Sequence, residues 1–419
     1  MRYLKFGIVF VVPLFSVSGQ AQNMQALSSD IRTMQIQKDG EKQNVPVIEL
    51  GSRERLQFSF DDLQKEYRRY IYRVEHCDYE WKKSVRIFES DYLRGTETQI
   101  PIEDYKESLN TTVDYTHYQF DFPNSRMGVV YSGNYRICVL DDDSRKEVCQ
   151  FCFSVVDPKA AVNATVTTNT DKDWNKEHQQ VKVQLNTQQL GVHDPSREIK
   201  LVVVQNGRWD AAAMNPKADY VTPSDVRWDR VSELIFPAGN EFRKFEMTNL
   251  KFGMMGVDNL RWVRPYYHAT LFPGKVRTNY VYDEERDGMY YVSATDRTDD
   301  DYEADYVLVH FFLEHEPETD GVFYVNGALT NWNYTNDCLM KYNAEARGYE
   351  ATLLLKEGYY NYQYLFLPQG RSCGSNLPAE GNYYQTENEY TILVYYAQRG
   401  SRYDRLVGVR NFRFEPSKQ

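Results

Sequence analysis

At 419 residues the chain is too long for one ordinary domain, and two to four units, each with its own core, are expected. Its 49 Lys and Arg against 60 Asp and Glu give a formal net charge of -11, which argues against nucleic acid or anionic lipid as a partner, since both need a basic face. No apolar run beyond the N-terminus is long enough for a membrane helix, and charges interrupt most strand candidates on both faces, which argues against an outer-membrane barrel with a continuous lipophilic band.

The opening MRYLKFGIVFVVPLFSVSGQAQ carries Arg2 and Lys5, an apolar run over 6–15, and Gly19 and Ala21 spaced for signal peptidase. It predicts a cleaved secretory signal over 1–21 and a mature chain starting near Gln22. Loss of the two cationic residues then takes the net charge from -11 to -13. No cysteine lies near the cut, so no lipid anchor is expected there.

From there to residue 157 the pattern has period two, which means strands. RRYIYRVEHCDYEW alternates Tyr70, Tyr72, Val74 and His76 against Ile71, Arg73, Glu75 and Cys77. DYTHYQFDFPN sets Thr116, Tyr118, Phe120 and Phe122 on one face. SGNYRICVLDDDSRKEVCQFCFSVV predicts a hairpin around an Asp/Ser turn. Tyr135, early in a late strand, resembles the tyrosine-corner region of immunoglobulin-like and fibronectin type III sandwiches. A β-sandwich over 22–157 follows.

The six cysteines are Cys77, Cys138, Cys149, Cys152, Cys338 and Cys373, and export permits disulfides among them. Cys149 and Cys152 have redox-motif spacing, but residues three apart on a strand face opposite ways, so no redox or zinc pair is expected. Cys138 and Cys149, on the two arms of the hairpin, are a candidate bridge.

DPKAAVNATV reads as a linker into a middle unit, 158–297, with strands at QQVKVQLNT, REIKLVVVQNG, NEFRKFEMTNL and MYYVSAT. GRWDAAAMNPKADYVTPSDVRWD, irregular and rich in Pro and Asp, reads as a long loop. The acidic run DRTDDDYEADY marks the next boundary as a solvated turn or linker. Asp299, Asp300, Asp301 and Glu303 are oxygen donors, but the run lacks the glycine and spacing of an EF-hand, so calcium is not expected.

The last unit, 298–419, begins with YVLVHFFLEH. A strand, a glycine turn, Trp332, a hairpin and then KEGYYNYQYLF resemble the early-set sandwiches that include glycogen- and starch-binding modules. The shared pieces are 327–332 and 358–364. In that group the matching tryptophan can help bind glucan. The second tryptophan of the layout, due near 367–374, is absent, and Trp332 is expected to anchor its turn. In ENEYTILVYYAQRG, Tyr390, Ile392, Val394 and Tyr396 alternate with Thr391, Leu393, Tyr395 and Ala397. Gly400 permits the reversal that follows, and Arg402, Asp404 and Arg405 are expected to pair locally around Tyr403.

Signs of catalysis are missing from the sequence. There is no G-x-S-x-G elbow, protease-type cysteine context, P-loop or dinucleotide fingerprint, and the seven histidines form neither H-x-H nor H-E-x-x-H. Carboxylates such as Glu380, Glu387 and Asp404 are plentiful, but nothing singles out a pair for glycoside hydrolysis. No enzyme activity, metal or cofactor is expected.

The segments YRRYIYRVEHCDYEW, DYLRG, IEDYKESLNTTVDYTHYQFDFPN, SGNYRICV, EGNYYQTENEYTILVYY and RGSRYDRLVG occur in this order across about 67–408. Together they resemble the plug proteins of the Bacteroidetes type IX secretion system. The resemblance implies a non-enzymatic periplasmic protein whose partner is the outer-membrane translocon barrel. Such a protein closes the barrel's periplasmic mouth when no cargo shuttle occupies it, and meets the membrane only through that partner. The alternative is a periplasmic or surface glycan-binding protein using the last unit. The fold class expected is all-β, tandem immunoglobulin-like or fibronectin III-like sandwiches, the last early-set-like. Candidate partner-facing or turn-bracing residues are Trp332, Arg402, Tyr403, Asp404 and Arg405.

Overall fold

The computed structural model describes residues 22–64, 67–252 and 254–416. The expected signal, 1–21, lies outside the described residues. The chain is all-β, with helices of a single turn, and its sheets pair into three stacked sandwiches.

In the first sandwich one sheet orders Gln25–Ala26, Glu147–Val156, Gly133–Asp141, Tyr70–Cys77 and Ile100–Pro101, with Val47–Glu49 parallel to Glu147–Val156. The other orders Glu41–Lys42, Ile31–Lys38, Leu56–Asp62, Thr116–Phe122 and Asp104–Glu107. Alternation decides which side chains meet. Tyr70, Tyr72 and Val74 enter the core with Phe58, Phe60, Tyr118 and Phe151, whereas Ile71 and Cys77 leave by the opposite face. The predicted hairpin forms, with a register shift between Val139 and Leu140. The Tyr135 hydroxyl donates to the Tyr131 carbonyl at 2.7 Å, which is the tyrosine-corner bond.

The expected bridge between Cys138 and Cys149 is not made, and all six cysteines are free. Cys138 stands opposite Gln150, and Cys149 opposite Val139. That offset of one residue puts the two thiols on opposite faces of the sheet.

In the middle sandwich one sheet orders Ala161–Thr167, His178–Asn186, Asp225–Trp228 and Tyr220–Val221, with Ile235–Pro237 also on His178–Asn186. The facing sheet orders Ala213–Met214, Ile199–Gln205, Asn388–Tyr396 and Arg405–Phe414. Three expectations change here. The linker beginning at Pro158 becomes an edge strand at Ala161. The long loop carries three short strands, Ala213–Met214, Tyr220–Val221 and Asp225–Trp228.

The sheets also do not divide at 297/298. Asn388–Tyr396 pairs with Ile199–Gln205, while Arg243–Met247 and Tyr290–Val292, expected in the middle unit, belong to the third sandwich. The reason is that both faces of Asn388–Tyr396 are apolar. Tyr390, Ile392, Val394 and Tyr396 fill the middle core, and Leu393 and Tyr395 pack toward the first sandwich beside Cys77, Trp81 and Cys152. A strand with two apolar faces needs cover on both sides, and this position supplies it.

The third sandwich is inserted between Ile235–Pro237 and Asn388–Tyr396. One sheet joins Arg243–Met247, Gly358–Pro368 and Tyr290–Val292, with Gly321–Asn326 also on Gly358–Pro368. The other orders Val257–Val263, Tyr266–Leu271, Tyr306–Glu314, Gly348–Lys356 and Lys341–Asn343, with Gly274–Lys275 on Tyr306–Glu314. The two ends of the insertion are held together: Thr386 Oγ1 donates to the Gly239 carbonyl at 3.0 Å and Asn388 Nδ2 to the Ala238 carbonyl at 2.9 Å.

Candidate functional site: the seam between the sandwiches

Several buried polar residues lie where sandwiches meet. Asp61, on the outward face of Leu56–Asp62, is fully buried and receives three donors. Lys356 Nζ lies 2.7 Å and the Tyr306 hydroxyl 2.7 Å from its Oδ2, and His117 Nδ1 lies 2.6 Å from its Oδ1. Lys356 and Tyr306 come from the third sandwich. Burial pushes the Asp61 carboxyl up, but Lys356 and His117 outweigh it and hold the group below its usual range. The Lys356 ammonium also lies 4.2 Å from the centre of the Tyr115 ring.

The acidic run docks beside this pair, so it is not a solvated linker. Ala304 and Asp305 are buried. The Tyr115 hydroxyl donates to the Ala304 carbonyl at 2.7 Å, and the Thr112 and Val113 N–H groups donate to Asp305 at 2.7 and 3.2 Å. Glu303 accepts from the Thr298 N–H at 2.8 Å and Asp299 from the Asp301 N–H at 3.0 Å, so these oxygens close the turn itself. Among the described residues no group of three or more His, Cys, Asp or Glu is placed to hold a metal ion.

Where the middle sandwich meets the third, Arg208 and Asp210, both of the middle one, pair at 2.8 Å. Tyr334 donates to Asp210 at 2.6 Å, and Arg208 to the Gly374 carbonyl at 2.7 Å. Between the first and middle, the Tyr395 hydroxyl donates to Asn134 Oδ1 at 2.8 Å, and Trp81 meets Trp209 edge to face at 5.5 Å.

The turn 402–405 belongs to this first–middle seam. Its charged residues do not pair with one another. Arg402 reaches Asp91 at 3.2 Å and Arg405 reaches Asp157 at 3.0 Å. Asp404 takes Lys200 Nζ at 2.9 Å and the Tyr79 N–H at 3.2 Å. Tyr403 stacks on Tyr131 at 4.5 Å and stands edge-on to His76. Burial pushes His76 down to about 4, which keeps the imidazole neutral.

Trp332 lies at another contact and is only 7% exposed. Its ring meets Phe242 edge to face at 5.9 Å, and its carbonyl accepts from Asn23 Nδ2 at 3.2 Å. It presents no free ring face on which a sugar could stack. Sequence reasoning missed Asp61, His117 and Lys356. The signal for the last was a lysine closing the apolar run ATLLLK, a place where a charge needs a buried partner.

Residues 31–157 match the family model described as type 9 secretion system plug protein 1st domain. The chain is also 39% identical to a hypothetical protein from Parabacteroides merdae ATCC 43184, whose crystal structure superposes with a TM-score of 0.91 over 94% of this chain and 99% of that one. The chain belongs to the type 9 secretion system plug protein family. The family match falls on the first sandwich of the chain, and the seam ties that sandwich to the other two. Dimeric latent PorU from Porphyromonas gingivalis aligns at 9% identity over 91% of this chain and 34% of that one, with a TM-score of 0.13, a likeness too weak to bear on fold or function. No curated protein matches the chain.

Proposed function

We propose that this chain is a non-enzymatic periplasmic accessory protein of the type IX secretion system, and that it occupies the periplasmic mouth of the outer-membrane translocon barrel through protein–protein contacts. The observation that carries this reading is the buried seam. A stopper has to keep its outline under load, and buried contacts that cross the boundaries, Lys356 on Asp61 and Arg208 on the Gly374 carbonyl, fix the orientation of adjoining sandwiches, because breaking either leaves an uncompensated group indoors. Membership of the plug family supports association with the secretion machinery. Rigid sandwiches present their loops at fixed positions, which suits contact with a barrel rim. The buried ring of Trp332 weighs against the glycan-binding alternative.

The test is affinity capture of the tagged protein from cross-linked envelopes. A large outer-membrane barrel is the expected co-purified partner. Efficient cross-linking to other envelope proteins, with no such barrel among them, would overturn the proposal.

A further inference from the structure

Beside the last strand of the middle sandwich and the segment 280–287 of the third lies an open cleft of about 770 Å³. On its walls Glu284, Glu285, Glu387 and Glu415 outnumber Arg286 and Arg413. Arg413 is the focus. Its guanidinium lies 3.3 Å from Asp287, 3.2 Å from Glu387 and 4.0 Å from Glu285. Glu241 is buried close by and accepts from the Tyr280 hydroxyl at 2.7 Å and the Glu387 N–H at 3.3 Å.

One guanidinium therefore answers three carboxylates. The remainder is visible in the hydrogen bonding. Glu285 is 3% exposed, and its Oε2 accepts only a long bond of 3.3 Å from the Gly288 N–H. Among the described residues its Oε1 has no hydrogen-bond partner, and neither has Oδ1 of the buried Asp287. Buried oxygens in native folds are nearly always bonded, so two around one guanidinium, Glu285 in the wall and Asp287 behind it, mark an incomplete set. Burial and the neighbouring carboxylates raise Glu285, and burial raises Asp287 to about 7 against the pull of Arg413. Tyr280, Tyr282 and Tyr384 also line the cleft, and Tyr282 is 58% exposed.

We propose that this cleft receives the ammonium or guanidinium group of a lysine or arginine carried on an extended basic segment of a protein partner. The carboxylate oxygens complement the positive head. The tyrosine faces suit an organic cation with a hydrocarbon stem, through cation–π attraction and contact. A bare divalent ion fits less well, because no set of three ligating side chains is placed around one point among the described residues. The cleft is larger than one side chain needs and leaves room for flanking backbone. This ligand chemistry does not depend on whether the chain plugs a barrel.

Titration calorimetry on the full mature chain tests it, with a blocked-end Gly-Lys repeat peptide as probe and spermidine and CaCl2 as comparison ligands. Runs in two buffers of different ionisation enthalpy count the protons released. The peptide is expected to bind in a salt-sensitive manner and to release protons from the acidic wall. Affinity should fall at least about tenfold in the Glu285→Gln, Asp287→Asn double variant, since a desolvated charge pair is lost. That variant removes repulsion, so its thermal midpoint should be no lower than wild type. Tyr282→Ala, which leaves the carboxylates intact, should weaken binding by a smaller factor. No binding of the peptide by wild type, or equal affinity in the folded double variant, would overturn the proposal. Binding of spermidine or Ca2+ without the peptide would overturn the assignment to a protein segment.

Discussion

Lys356 Nζ lies 2.7 Å from Asp61 Oδ2 across the boundary between the third and first sandwiches, and both side chains are shut off from solvent. Replacing Lys356 by Met leaves the Asp61 carboxylate buried with its main cation gone. The expected cost is about 3–5 kcal/mol, read as a lower denaturation midpoint in urea. Combining Lys356→Met with Asp61→Asn should recover part of that loss, because no buried charge is then left uncompensated. If Lys356→Met alone changes the midpoint no more than a surface substitution does, the seam does not hold the sandwiches together.

Stability should vary with pH in two opposed ways. Asp61 is held below its ordinary value of 3.8, so its contribution is complete above about pH 4 and is lost as the pH falls through the folded value. Asp287 and Glu357 are both raised to about 7, chiefly by burial. For these the folded chain keeps protons that the unfolded chain has already released, so stability falls as the pH climbs from about 4 through 7. The thermal midpoint should therefore peak in mild acid, at roughly pH 4–5, and decline toward pH 8. Asp287→Asn should flatten that decline. Scanning calorimetry across pH reads it, and a midpoint that rises steadily to pH 8 would contradict the assignment.

The turn 402–405 separates weak from strong braces. Arg402 is half-exposed where it meets Asp91, so Arg402→Ala should cost under about 1 kcal/mol. Asp404 is buried and holds both Lys200 and the Tyr79 N–H, so Asp404→Ala should cost about 2–3 kcal/mol by stranding those donors. Equal effects of the two substitutions in urea unfolding would contradict this division.

Trp332→Ala should remove about 3–5 kcal/mol of stability by opening a cavity against Phe242. Retention on glucan resin should be absent before and after the change. Wild-type retention that disappears in Trp332→Ala would restore the glycan reading.

Thiol titration checks the cysteines. Five are buried and Cys373 is exposed. Burial pushes Cys77, Cys138 and Cys152 up to about 12, which leaves little thiolate at neutral pH. One thiol should react with a disulfide reagent in the native protein and six in denaturant. Fewer than six after unfolding would reveal a bridge.

Local pattern made much of the fold legible. Period two placed the strands around Tyr70–Cys77 and Asn388–Tyr396, and the tyrosine corner at Tyr135 was visible from its position in the hairpin. Topology was less accessible. The alternation in Asn388–Tyr396 revealed two apolar faces but could not say which sheet lay on either side, because pairing to Ile199–Gln205 spans nearly two hundred residues. The acidic run looked solvated because charge density signals water until a partner surface is known. Tyr115, Thr112 and Val113 provide that surface from far away in sequence. The turn 402–405 was expected to pair within itself, but its partners Asp91, Tyr79 and Asp157 lie outside its own sandwich.

The insertion of the third sandwich between two strands of the middle one imposes an order on events at the ribosome. Strands from Ala161 to Pro237 emerge early, yet two of the four strands in one of their sheets, Asn388–Tyr396 and Arg405–Phe414, are the last to be made. The intervening unit can fold on its own schedule while its host waits with apolar surface uncovered. Trimming the final thirty or so residues would thus leave the middle of the molecule open and spare the segment synthesised immediately before them.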